Sequence, residues 1–144
     1  MKTGTAGIAL IKSFEECRLV AYPDPGTGDE PITIAWGHTG GVKLGDTCTQ
    51  EEADSLFVID LAEAEEPVNR LVTAPLTQNQ FDALVSFTYN CGEPNLKISR
   101  LLQLLNAKYY QEAAAQFPRW NRSKGRIKNG LIRRREAEKK LFLS

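Results

Sequence analysis

A segment rich in proline and glycine interrupts the first quarter of this chain. Its turn-forming residues are Pro23, Pro25, Gly26, Gly28 and Pro31. The flanking runs, 19–22 and 32–36, have the β-branched and aromatic composition of short strands, so the pattern predicts a small hairpin. The apolar spacing of the rest of the chain is typical of helices. The sequence therefore predicts a mainly helical fold with one small β-hairpin near its N-terminus.

The first helix is predicted directly before this hairpin. Ile8, Ile11 and Phe14 recur at helical spacing over about residues 4–15. Glu15 therefore falls at the C-terminal end of an amphipathic helix, next to the predicted strands.

Further helices are marked by their start and stop signals. Two capping boxes, Thr49 with Glu52 and Thr77 with Gln80, precede apolar runs. We expect the first of these helices to reach about Val72 and the second to end at Gly92. Two later stripes are predicted core: Ile98, Leu101, Leu102 and Leu105, then Tyr110, Ala113, Ala114 and Phe117.

The last predicted helix, about residues 130–142, places charges on its apolar face. Leu131, Arg134, Arg135, Glu138 and Phe142 share that face at three- and four-residue spacing. Either the arginines extend to the surface along their aliphatic stems, or at least one points inward toward a carboxylate.

Composition bounds the class of protein. At 144 residues, 42% hydrophobic and 25% charged, the chain is sized for one compact domain. No apolar run approaches the ~18 residues of a membrane span, and the first residues lack the apolar stretch of a secretory signal. We therefore expect a soluble cytosolic product.

The cysteines favour neither a disulfide framework nor a metal site. Cys17, Cys48 and Cys91 are odd in number, widely spaced and accompanied by one histidine, His38. This pattern predicts three reduced thiols and no tetrahedral zinc site. We expect no metal and no cofactor.

Charge is balanced overall but unevenly distributed. Residues 46–66 carry eight acids and no base, whereas residues 119–140 carry ten bases against two acids. A cationic stretch favours an anionic partner, which could be nucleic acid, lipid headgroups or an acidic wall polymer. The alternative is an ordinary solvated helix face.

Two acids and a threonine around the hairpin suit glycoside hydrolysis. Glu15, at the end of an apolar helix, could be desolvated enough to act as a general acid. Asp24, in the turn, should stay ionised and could activate a water that the Thr33 hydroxyl holds. The spacing alone is weak, because Asp24 could simply form an Asx turn.

Ordered motifs over nearly the whole chain add a resemblance. They are Ile11-Lys12-Ser13-Phe14-Glu15 with Arg18, Tyr22 and Asp24; Thr33-Ile34 with Gly37-His38-Thr39; 76–84 (LTQNQFDAL); Phe87, Asn90 and Gly92; and Gly130-Leu131 with Arg134, Arg135 and Glu138. Together they resemble the phage-type lysozymes, the glycoside hydrolase family 24 endolysins related to the T-even phage enzyme.

The resemblance implies a fold and an activity. It implies an α+β, mainly helical lysozyme-like fold, 1–144, as a single catalytic domain. An N-terminal lobe of about 15–50 with a short sheet would be joined by a linking helix of about 50–72 to a helical C-terminal lobe of about 73–144 plus the first helix. The activity would be cleavage of the β-1,4 bond between N-acetylmuramic acid and N-acetylglucosamine in peptidoglycan, with inversion.

The resemblance also assigns residues. Glu15, Asp24 and Thr33 take the catalytic places, although the longer turn 25–32 lets Asp29 or Glu30 compete with Asp24 as the base. Arg134 or Arg135 should pair with the catalytic glutamate, and His38 should be a hydrogen-bonded structural residue. Thr39, Tyr89, Ser99 and Gln116 fall near glycan-contacting positions.

Partners and rival activities follow from the same resemblance. Peptidoglycan strands become the expected partner, nucleic acid becomes a minor alternative, and the cationic stretch would face anionic wall or outer-membrane polymers. A monomer is expected, held in the host cytoplasm until a holin admits it to the periplasm and wall, with no separate wall-binding module. Two alternatives stay open: a lytic transglycosylase that forms 1,6-anhydro ends, and a non-catalytic glycan-binding domain.

Overall fold

The computed structural model describes all residues, Met1–Ser144, as seven helices and two small sheets. The elements are α1 Thr5–Phe14, β1 Arg18–Tyr22, β2 Thr33–Ala35, α2 Gln50–Leu71, α3 Gln78–Cys91, α4 Glu93–Ile98, α5 Arg100–Asn106, α6 Tyr110–Ala114, a 3₁₀ turn Phe117–Arg119, β3 Arg122–Ser123, β4 Arg126–Ile127 and α7 Asn129–Leu143. The predicted α+β, mainly helical class is confirmed. None of the helices combines the length and apolar character needed to span a bilayer.

The chain forms two compact units. One comprises Glu15–Ala62, and the other comprises Met1–Phe14 together with Glu63–Ser144. The boundary falls within α2, so this helix contributes residues to both units.

The unit of residues 15–62 is built on the predicted hairpin. Strands β1 and β2 pair antiparallel, with Tyr22 opposite Thr33 and an irregular register between that pair and the pair of Arg18 with Ala35. A further bridge joins Val20 to Thr47 on the other edge of β1. Its small core contains Ala21, Ile34, Ala35 and Ala53, with Cys17, Trp36, Cys48 and Leu56 among the side chains packed against it.

The other unit is organised around α3. Every residue from Phe81 to Thr88 is buried, so α3 is a central helix, and α1 and α7 pack against it. Aromatic rings extend this core: the ring centroid of Phe87 lies 5.9 Å from that of Phe117, which in turn lies 5.6 Å from that of Phe142.

A buried carboxylate attaches the first helix to this core. Asp82 on α3 accepts hydrogen bonds from the backbone N–H of Gly4, at 2.9 Å, and of Gly7, at 3.1 Å. These N–H groups open α1 and have no partner within the helix. A negative charge at the N-terminus of α1 also interacts favourably with the helix dipole.

Most predicted helix boundaries are confirmed, and two predictions need correction. Both capping boxes form as predicted, and Gly92 caps α3. The prediction that Ile98 belongs to the core is wrong, because α4 ends there and leaves Ile98 74% exposed. The helix predicted to run from Tyr110 to Phe117 ends at Ala114, and Phe117 begins the 3₁₀ turn.

Candidate active site

Glu15 follows the last residue of α1 and packs on a tight turn. Ile34 and His38 exchange two backbone hydrogen bonds of 2.9 and 2.8 Å, which close a three-residue turn around Trp36. Gly37 in this turn has a φ of 80°, and a Cβ added there would lie 2.8 Å from Oε2 of Glu15. The carboxylate therefore rests directly on the Gly37 backbone, where a side chain would displace it.

Tyr22 lies within the electrostatic reach of the same carboxylate. Burial raises the pKa of the Tyr22 phenol, and the charge of Glu15 raises this pKa further. The Arg18 guanidinium, 4.5 Å from the Tyr22 ring centroid, acts in the opposite direction. The net effect raises the pKa of the Tyr22 phenol, so its neutral form is favoured.

Asp24 organises the long turn of the hairpin. Its Oδ2 accepts hydrogen bonds from the N–H and the hydroxyl of Thr27, at 3.1 and 3.2 Å. Its backbone N–H donates to Asp29 O at 2.8 Å. Asp24 thus forms the side-chain-capped turn that the sequence left open as an alternative to catalysis.

The three acids of the turn differ in burial. Asp24 is partly buried, whereas Asp29 and Glu30 are exposed. Thr33 is partly buried at the start of β2, directly opposite Tyr22, and its hydroxyl is 3.4 Å from Pro31 O. Opposite residues of an antiparallel pair share one face of the sheet, so Thr33 lies on the same face as Tyr22.

His38 anchors the turn that supports Glu15. Its Nδ1 lies 2.8 Å from Oδ2 of Asp60, and its Nε2 lies 3.1 Å from Gly40 O. Both ring nitrogens are therefore occupied by hydrogen-bonding partners within the chain.

Trp36 provides a second attachment of this turn to α2. Its Nε1 donates to Asp54 at 2.9 Å, and its ring centroid lies 6.2 Å from that of Phe57 in an edge-to-face arrangement. The supporting role of Asp54 and Asp60 was not predicted. The available signal was the three-residue spacing of Asp54, Phe57 and Asp60, which places them along one face of a helix.

Arg135 on α7 is completely buried and multiply bonded. Its Nε lies 2.7 Å from Oε1 of Glu138, and its Nη2 lies 3.1 Å from Oε2 of the same residue. It also donates to Asn90 Oδ1 at 2.9 Å and to Cys91 Sγ at 2.7 Å. Burial raises the pKa of Glu138, and the neighbouring guanidinium groups counteract this shift.

Arg134 is 2% exposed and Arg135 is fully buried, which rules out the alternative in which the arginines extend to the surface. Its Nε lies 3.4 Å from Oε2 of Glu138, and its Nη2 donates to Ser86 O at 3.2 Å. Its guanidinium carbon is 5.8 Å from the ring centroid of Phe14, the residue before Glu15. Both arginines therefore point inward, and both contact the Glu138 carboxylate.

The four predicted glycan contacts have different environments. Thr39 is exposed, whereas Tyr89 and Gln116 are partly buried. Ser99 is 1% exposed, and its hydroxyl donates to the last turn of α4 and accepts from the first turn of α5. The Ser99 hydroxyl is therefore committed to capping the chain itself.

The cysteines are free thiols, and no group of three or more His, Cys, Asp or Glu side chains is arranged to hold a metal ion. Burial raises the pKa of Cys48, and the neighbouring Cys17 adds to this effect. Both thiols pack against the core of the hairpin unit.

Comparison with known proteins places this arrangement in a family. The phage lysozyme family model matches residues 12–138. The endolysin of Bacillus phage B103 is 46% identical over 145 residues, which cover 100% of this chain and 55% of that protein. The endolysin of Salmonella phage P22 is 40% identical, with 100% of this chain and 99% of that protein covered.

A solved structure agrees with these sequence matches. The muramidase domain of SpmX from Asticaccaulis excentricus superposes with a TM-score of 0.87 and 43% identity, covering 99% of this chain and 98% of that domain. This chain spans about half the length of the B103 endolysin, but nearly all of the P22 endolysin and of the SpmX domain. Because the family model covers most of the sequence and the fold agrees, the chain belongs to the phage lysozyme family.

Proposed function

We propose that this protein is an endolysin that acts at the bacterial cell wall and hydrolyses the β-1,4 bond between N-acetylmuramic acid and N-acetylglucosamine. The observation that carries the proposal is the partly buried Glu15 residue, whose carboxylate is held against Gly37, in a chain of the phage lysozyme family. The resemblance to the family 24 enzymes extends the proposal to an inverting mechanism.

In this mechanism, Glu15 protonates the departing glycosidic oxygen. Asp24 accepts a proton from a water that the Thr33 hydroxyl orients, and the water attacks the sugar from the opposite face. An inverting enzyme needs room for that water, with its two carboxyl groups roughly 6.5–9.5 Å apart. Asp24 suits the base because it is partly buried in an ordered turn, whereas Asp29 and Glu30 are exposed.

We further propose Arg134 as the partner of Glu15. The donors of Arg135 are already engaged by Glu138, Asn90 and Cys91. The guanidinium of Arg134 also contacts Glu138 and Ser86 O, but it lies over Phe14, the residue covalently joined to Glu15. A nearby cation would stabilise the carboxylate that remains after the proton is delivered.

The test is digestion of purified peptidoglycan by the protein and by Glu15→Gln, with mass analysis of the fragments. We expect reducing ends from the native protein and a loss of at least about a hundredfold in the variant. Products with 1,6-anhydro ends would instead identify a lytic transglycosylase. Wall binding without any turnover would identify a glycan-binding domain.

The two roles of Asp24 are separable by substitution. Asp24→Asn keeps an oxygen that can accept from Thr27 but removes the negative charge, whereas Asp24→Ala removes both. If Asp24 is the base, both variants lose activity while only the alanine variant disturbs the turn. Asp29→Asn and Glu30→Gln are the matched controls and should remain active. An α-configured first product would support inversion, and a retained β product would reject it.

A further inference from the structure

A small β-ribbon in the C-terminal part carries an unusual concentration of positive charge. Strands β3 and β4 pair with Arg122 opposite Ile127 and Ser123 opposite Arg126. The Lys128 N–H donates to Asn121 O at 3.0 Å, which extends the pairing by one residue pair. The ribbon therefore comprises residues 121–128.

The tip of the ribbon is a tight turn with a basic residue at its centre. Lys124 and Gly125 have φ values of 51° and 77°, the pattern of the two-residue turns whose twist matches a β-hairpin. Arg122 folds back over this turn and donates to Gly125 O at 3.4 Å. The tip is therefore an ordered structure, formed by the backbone and not by apolar packing.

Basic side chains project from both faces and from the tip of the ribbon. Arg122 lies on one face, Arg126 and Lys128 lie on the other, and Lys124 lies at the tip, because alternate residues of a strand point to opposite sides. Every residue from 122 to 128 is exposed, and this segment contains no acidic residue. Like charges on so short a ribbon repel one another, and an anionic partner would relieve this repulsion.

The distribution of these charges fits a membrane surface with anionic headgroups better than a single anionic polymer chain. A polymer chain lying along one face would leave the cations of the other face in water. The three residue pairs of the ribbon span roughly 10 Å, which exceeds the roughly 5–8 Å depth of one headgroup layer. Inserted tip first, it would have phosphates around both faces.

An exposed apolar side chain on the same ribbon supports a lipid surface. Ile127 is 55% exposed and lies directly opposite Arg122, on the same face of the ribbon. A polyanion in water gives no stabilisation to such a side chain, whereas a membrane interface favours apolar groups next to cations. We propose that the ribbon 121–128 is a docking element for membranes that contain anionic phospholipids.

The test is co-sedimentation with vesicles of equimolar phosphatidylglycerol and phosphatidylcholine. The variant is Arg122→Gln/Lys124→Gln/Arg126→Gln, which neutralises both faces and the tip. Each cation near an anionic surface contributes roughly a fivefold factor, so partitioning should fall on the order of a hundredfold. It should also fall as the salt concentration rises.

The matched control removes the same number of charges elsewhere. Lys97, Arg100 and Lys108 are exposed and lie outside the ribbon, so their triple glutamine variant should bind vesicles nearly as well as the native chain. Equal losses in the two variants would overturn the proposal. Binding to pure phosphatidylcholine with equal strength, or binding to duplex DNA but not to vesicles, would also overturn it. No hydrolysis is measured, so the outcome is independent of the proposed enzymatic activity.

Discussion

Replacing Gly37 by alanine tests whether the turn beneath Glu15 sets the position of its carboxylate. The added Cβ would lie 2.8 Å from Oε2 and 3.1 Å from Oε1 of Glu15. Non-bonded heavy atoms pack comfortably at about 3.5 Å, so the carboxylate must move by roughly 0.4–0.7 Å. Because the end of a glutamate side chain is flexible, we expect this side chain to move and the backbone to stay in place.

The expected effects on stability and on activity differ. The φ of 80° at Gly37 costs an alanine about 1–2 kcal/mol in the free energy of unfolding. Activity should fall more steeply, because a misplacement of about 1 Å can cost a hundredfold in rate, and the shift here is a large part of that. We therefore expect a loss of tenfold or more in the rate of peptidoglycan solubilisation.

Gly41→Ala is the control for the backbone contribution. Gly41 belongs to the same unit and has a φ of 70°, but no heavy atom lies within 4 Å of its added Cβ. Denaturant unfolding should give similar stability losses for the two variants, with near-native hydrolysis only for Gly41→Ala. Equal hydrolysis by both variants would show that Glu15 is not an acid positioned by this turn. A much larger stability loss for Gly37→Ala would show that the backbone yields instead.

Three further predictions concern the buried charges and the phenol. Asp82→Ala should lower the free energy of unfolding by about 2–4 kcal/mol, because two N–H groups of α1 lose their acceptor; Asp82→Asn, which keeps one acceptor oxygen, should lose less in the same urea titration. Glu138→Gln should cost about 3–5 kcal/mol, because two buried guanidinium groups lose a shared counter-charge, and a gain in stability would contradict this. The Tyr22 phenol should titrate above its ordinary pKa of 10.0. As the pH rises past 10.0, the phenol of the unfolded chain ionises first, so the free energy of unfolding should fall. In Glu15→Gln, an NMR titration should find a lower Tyr22 pKa than in the native chain.

Local chemistry made most helix boundaries predictable. The capping box of Thr77 with Gln80 closes in the structure through bonds between residues three apart, which the sequence displays directly. The same holds for Thr49 with Glu52. Such signals need no knowledge of the tertiary fold, because both partners belong to one helical turn.

Elements without an apolar pattern escaped prediction. The ribbon of β3 and β4 has two-residue strands and no buried side chain, so hydrophobic periodicity contains no trace of it. Its one local signal was Lys124-Gly125 at the turn. Helix α4 was hidden for a different reason: Gly92 ends α3 and also immediately precedes the next helix, and Pro94 in its first turn was the available signal.

The candidate site depends on backbone conformations that residue periodicity does not encode. Ala35 has a φ of 57° and is completely buried, although alanine disfavours this region. The surrounding contacts must compensate, and the two attachments of the turn to α2, through Trp36 and His38, are long-range contacts of this kind. Candidate site residues could therefore be proposed from the sequence, whereas the surface that holds the Glu15 carboxylate arises only when the turn is bound to the helix. Substitutions of Asp54 and Asp60, although neither is a proposed catalytic group, should for this reason reduce activity through the position of Glu15.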